Sequence, residues 1–202
     1  MPRSLPDFGE EVELPWPRPG DELFAPADDY WLNAHLGAMR GPAYLIGYKS
    51  AGDVLVEHVA RHELDADTLV FPIVFCYRQY LELLLKDVLA DARVYFEVDD
   101  PVPTGHPLLV LWMPLRELLE RRWPTGSTEE LDAVGDGLRQ FDAVDRGSFA
   151  FRYATDTAGK VSLPDELGQI NLRNLAEVIE RIGTFLESCA TVLIEEHNAA
   201  DW

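Results

Sequence analysis

Cysteine is scarce in this 202-residue chain, and so are methionine and positive charge. The two cysteines, Cys76 and Cys189, lie far apart inside apolar runs, and no Cys-x-x-Cys pair occurs. A disulfide framework and a zinc ribbon are therefore excluded, and both thiols read as small buried hydrophobes. No basic segment followed by an apolar one opens the sequence, and charges interrupt the longest apolar stretch. These features predict a soluble protein in a reducing cytoplasm, with no membrane span. Only 17 basic residues stand against 36 acidic ones, for a net charge of −19. Such a chain repels phosphate backbones at long range, which argues against direct nucleic-acid binding.

Catalytic signatures are missing too. The sequence holds no Gly-x-Ser-x-Gly elbow, P-loop or His-Glu-x-x-His. Gly135-Asp136-Gly137 falls inside a helical pattern, where close packing suits it better than dinucleotide binding. His58 and His62 share a helical face, but a metal would need a third ligand such as His35. We expect neither a metal nor a cofactor.

Hydrophobic residues form 47% of the chain, enough for one core at this length. Residues 1–27 carry Pro2, Pro6, Pro15, Pro17, Pro19 and Pro26, which predict an extended arm. Trp16, Leu14, Leu23 and Phe24 give that arm apolar groups that a free tail would not need, so it should lie along the domain or across a partner subunit. Residues 28–202 read as a single, mainly all-α domain of about five helices. A first helical region spans 28–63, punctuated by Gly41-Pro42. The second, 67–92, is hydrophobic nearly all round, as befits a central helix. A β-prone stretch follows at 94–98, then a third helix from about 105 to 123. Ser127 and Glu130 have the spacing of a capping box, opening a helix striped by Leu131, Val134, Leu138 and Phe141. The alternation Phe149, Phe151, Tyr153 and an Asp-Thr-Ala-Gly turn predict a small β-hairpin. Asn171 should cap a long final helix reaching about Asn198.

The candidate site is a charged stripe on the central helix. Arg78, Glu82 and Lys86 follow one another at four-residue spacing and so face one side. Charges in so apolar a helix are costly to bury unless paired. They form either a structural ion-pair ladder or the floor of a polar pocket. His106 and Arg152 are placed to join such a pocket, and Tyr77 and Trp112 to wall it. An Arg, a Lys and a His together would suit a small anionic ligand.

The run Tyr77-Arg78-Gln79-Tyr80-Leu81-Glu82-Leu83-Leu84-Leu85-Lys86 resembles the central helix of bacterial HEPN-like proteins. Gly105-His106-Pro107-Leu108-Leu109-Val110-Leu111-Trp112 fits the Gly-His-x-Leu-x-x-Leu-Trp segment of that group, and Phe151-Arg152-Tyr153 its later part. The resemblance covers residues 67–190. It implies a helical bundle, commonly a homodimer, from bacterial defence or toxin–antitoxin-type systems. HEPN ribonucleases carry an Arg separated by four to six residues from a following His, and none of the five histidines here has an Arg five to seven positions before it. The resemblance thus implies a non-catalytic module that binds a partner protein or small anionic ligand. The alternative is a divergent enzyme acting on RNA or a nucleotide through Arg78, Glu82, Lys86 and His106.

Overall fold

In the computed structural model, which describes residues 16–37 and 40–200, the chain divides into two units, Met1–Ala38 and Met39–Trp202. Leu14 and the prolines at 2, 6 and 15 lie outside the described residues.

The described part of the first unit is irregular apart from a 3-10 turn at Tyr30–Leu32. The expected first stretch of α-helix is therefore absent from residues 28–37. Two local devices shape the segment instead. Arg18 and Asp21 close a turn, with the Arg18 amide donating to the Asp21 carboxylate at 2.7 Å. Farther on, the Asn33 side chain accepts from the Ala27 amide and donates to the Ala27 carbonyl, at 2.9 and 2.7 Å. Asparagine has both a donor and an acceptor, so it can mimic a backbone partner in this way.

Five α-helices form the second unit: α1, Arg40–His62; α2, Ala66–Tyr95; α3, Leu108–Arg122; α4, Glu129–Asp145; and α5, Leu172–Ala200. Gly41-Pro42 sits in the first turn of α1, where a missing amide donor is harmless, so no break results. The central helix is α2, packed against α1, α5 and α3. It is also long and apolar enough to cross a membrane by length and composition alone. Half of that apolar stretch is buried in the bundle, and Ile73, Tyr77, Leu81, Leu85 and Leu89 are fully enclosed. The helix runs into the segment expected to be β-prone, ends at Tyr95, and is followed by Glu97 in the left-handed region (φ 53°). There the Val98 amide reaches back to the Arg93 carbonyl at 2.9 Å, which satisfies an end-of-helix acceptor.

Two glycines let neighbours close on α2. A Cβ at Gly52 on α1 would lie 2.6 Å from Tyr77 Cε1, and one at Gly183 on α5 would lie 2.2 Å from the Tyr80 hydroxyl. Gly135 and Gly137 do the same elsewhere, backing onto Trp112 and Ile182. Asn171 caps α5 through its side chain, 2.9 Å from the Asn174 amide. The expected capping box at α4 does not form. Ser127 Oγ accepts from the Glu129 amide, while Thr128 is the capping position and bonds Asp132 instead.

The predicted hairpin is reduced to one antiparallel bridge, Thr155 to Val161, around a turn held by Asp156. Phe149–Arg152 form turns, not a strand, because the Asp145 carboxylate gathers the Phe149 and Ala150 amides at 2.6 and 2.9 Å. Both thiols are free, and burial pushes the Cys189 thiol up to about 11.

One acidic pair on α2 opposes the fold. Burial, and then the neighbouring charge of Asp87, raises the Asp91 carboxyl above its ordinary value. A carboxyl raised on folding is most compatible with the native state while protonated. Its cost therefore appears as pH climbs from the unfolded value of about 3.9 through the raised folded one. Asp91→Asn should raise the unfolding free energy at pH 7 by a few tenths of a kcal/mol, as for a like-charged helical pair, read as a higher urea midpoint, and change nothing near pH 3.

Candidate functional site

The charged stripe becomes a buried network where α2 meets the start of α3 and the end of α4. Arg78 is fully enclosed, with 0% of its side chain exposed, yet every part of its guanidinium has a partner. Nη1 lies 3.3 Å from Glu82 Oε2, and Nε donates to the Asp145 carbonyl at 3.4 Å. Nη2 donates to the His106 carbonyl and lies 3.8 Å from Asp142 Oδ1. Burial lowers the pKa of Arg78, opposed by the Glu82, Asp142 and Asp145 charges, and a guanidinium stays protonated regardless.

Glu82 is the hub. Its side chain is 5% exposed and accepts from Lys86 Nζ at 2.7 Å, while His106 Nδ1 stands 3.3 Å from both oxygens. Lys86 and His106 carry the network to the surface, with side chains 33% and 59% exposed. Asp142 completes it from α4. The two oxygens of its carboxylate accept the Leu108 and Leu109 amides, each at 2.9 Å. Pro107 offers α3 no side-chain cap, so Asp142 supplies one from 34 residues away. Asp145 Oδ2 is buried with no hydrogen-bond partner. Nearby, Ser148, in the left-handed region at φ 55°, accepts from Gln79 Nε2 at 2.6 Å.

The other sequence candidates go elsewhere. Tyr77 faces α1, donating to Asp53 Oδ1 at 2.8 Å, and burial with that bond raises its pKa. Beside it Lys49 bridges Asp53 and Glu180 at 2.6 and 2.8 Å; burial opposes its charge, but the two carboxylates more than offset this and raise its pKa. Trp112 is buried against Gly135. Arg152 packs its guanidinium against the Phe75 and Tyr153 rings, 5.4 and 5.5 Å from their centroids, and forms no ion pair among the described residues. These three residues do not share the Arg78 cluster. Asp142 and Asp145, which do, escaped the sequence reading. One signal for Asp145 was available: it extends the apolar stripe Leu131, Val134, Leu138, Phe141 by one step, so an acid there takes a core position.

Among the described residues no group of His, Cys, Asp or Glu is arranged to hold a metal. His62 turns Nδ1 to the His58 carbonyl at 2.8 Å. Chemically, the cluster can hold three elements together; it has no exposed guanidinium to meet an anion, and three carboxylates surround the one it buries.

No protein-family model, curated protein or solved structure matches this chain.

Proposed function

We propose that the chain is a non-catalytic, HEPN-like interaction module, serving a bacterial defence or toxin–antitoxin-type system by binding a basic partner protein. The observation that carries this reading is the enclosure of Arg78. A catalytic or anion-binding arginine must reach its ligand, whereas this one spends its donors on Glu82 and two backbone carbonyls. The cluster then serves as an internal strut. What remains for recognition is the surface, and a net charge of −19 favours a partner of opposite sign. The sequence pattern over Tyr77–Lys86 and Gly105–Trp112 supports the family part of the proposal.

The test has two arms. Incubated with mixed-sequence single-stranded RNA, the full chain should leave it intact. Co-expressed with the products of the flanking genes, it should elute with a basic protein at low salt and separate at high salt. RNA cleavage that disappears in His106→Ala would replace this reading with the enzymatic one. Failure of every flanking product to co-elute would remove the partner.

A further inference from the structure

A second feature of the helical unit is unrelated to the Arg78 cluster. Between α4, α5 and the connection preceding α5 lies a cleft of about 340 Å³, a size that suits a small molecule. Phe141, Phe151 and Val178 give it apolar walls. Its polar lining is of one kind: Gln140, Gln169, Asn171 and Asn174 are all carboxamides. No residue of either charge lines it, in a chain where 26% of residues are charged.

The charges that adjoin these residues along the chain are mostly acidic, and most are engaged elsewhere. Asp136 pairs with Arg139, Glu177 with Arg181 at 3.9 Å, and Glu180 with Lys49 at 2.8 Å. Asp142 caps α3, and Asp145 holds the Phe149 and Ala150 amides. The carboxamides, in contrast, keep capacity to spare. The side chains of Gln169 and Asn174 have no hydrogen-bond partner among the described residues. There Asn171 uses only its oxygen, on the Asn174 amide, and Gln140 only its nitrogen, on the Asp136 carbonyl at 3.3 Å. Free donors and free acceptors thus stand together beside apolar walls.

That set discriminates by chemistry. A carboxylate brings only acceptors and an ammonium only donors, so each leaves half of the set unmatched. Either would also give up water for a lining that holds no counter-ion. An amide carries a donor and an acceptor side by side, and pairs with a carboxamide through both. We propose that the cleft binds an uncharged small molecule built of an apolar ring and an amide or lactam group. The ring lies against Phe141, Phe151 and Val178, and the amide meets Gln169 and Asn174. A neutral ligand also escapes the long-range field of a chain with a net charge of −19. This site goes beyond the interaction-module reading and does not depend on it.

Three probes that share one carbon skeleton test it at neutral pH: cinnamamide, cinnamate and cinnamylamine, which are neutral, anionic and cationic. Each is titrated into the isotope-labelled full chain and followed by NMR. Cinnamamide should shift the side-chain amide signals of Gln169 and Asn174, and bind about tenfold more tightly than either charged probe. Gln169→Leu/Asn174→Leu changes two exposed positions, so the melting temperature should hold. That variant should bind cinnamamide about tenfold more weakly, yet bind toluene, a ring without an amide, as well as the wild type does. Tighter binding of cinnamate would overturn the proposal and give the cleft to the positive end of α5 instead. So would tighter binding of cinnamylamine, no binding of cinnamamide at millimolar concentration, shifts confined to residues away from the cleft, or full-strength cinnamamide binding by the double variant.

Discussion

Arg78→Ala should lower the unfolding free energy by about 3–5 kcal/mol, read as a fall in the urea midpoint at unchanged slope. The magnitude follows from what is left behind. Glu82 loses its buried cation and keeps only Lys86 and the exposed His106. Asp142 loses a neighbouring charge while still capping α3, and the carbonyls of His106 and Asp145 lose their donor. Leaving buried acceptors unpaired costs more than the bonds themselves contribute. Total stabilities of domains run to about 5–15 kcal/mol, so the variant should be close to unfolding at 37 °C. Removing the hub as well should not double the damage. In Arg78→Ala/Glu82→Ala the stranded carboxylate is gone, and the pair should cost clearly less than the sum of the two single losses. A site kept for ligand chemistry would behave differently: Arg78→Ala would leave the midpoint nearly in place and abolish binding.

The helices were legible in the sequence because their apolar periodicity is long and uninterrupted. Leu172, Ile179, Ile182, Leu186, Cys189 and Leu193 formed one stripe in the sequence, and all are buried on α5. The four-residue spacing likewise announced the Arg78–Glu82–Lys86 ladder, which requires only helix geometry. What could not be read depends on distant chain segments. Asp142 caps a helix that begins 34 residues earlier, and the His106 contribution to Arg78 comes from its backbone carbonyl, which no side-chain pattern signals. The hairpin failed for a related reason. Alternating aromatics from Phe149 to Tyr153 satisfy the two-residue period of a strand, but a single carboxylate, Asp145, captures two successive amides and curls the chain into turns. Tyr77 misled in another way: at position 77, next to Arg78, its side chain points toward α1 while Arg78 points toward α3 and α4.

The turn of Tyr77 toward α1 sets up the second large effect. Gly52→Ala and Gly183→Ala should each cost about 2 kcal/mol, although alanine is the better helix former by up to ~1 kcal/mol. At Gly52 the added carbon would meet three atoms of the Tyr77 ring within 2.6–3.0 Å. The ring cannot swing away, since it is fully buried and its hydroxyl is tied to Asp53, the residue next to Gly52. At Gly183 the obstacle is the Tyr80 hydroxyl, which bonds Glu187 one turn farther along α5 at 3.0 Å. Relief in either case requires α1 or α5 to back away from α2, thinning the contact that covers the central helix. For a chain of this length each change should lower Tm by roughly 4–8 °C. Serine at either position should be no better, because the overlap arises at Cβ. Truncating the obstacle distinguishes overlap from any other cause: Gly183→Ala combined with Tyr80→Phe removes the 2.2 Å encounter and should recover part of the loss, whereas Gly52→Ala combined with Tyr77→Phe removes only the hydroxyl, leaves the ring in the way, and should recover none. Equal rescue at the two positions would contradict the packing described for Tyr77.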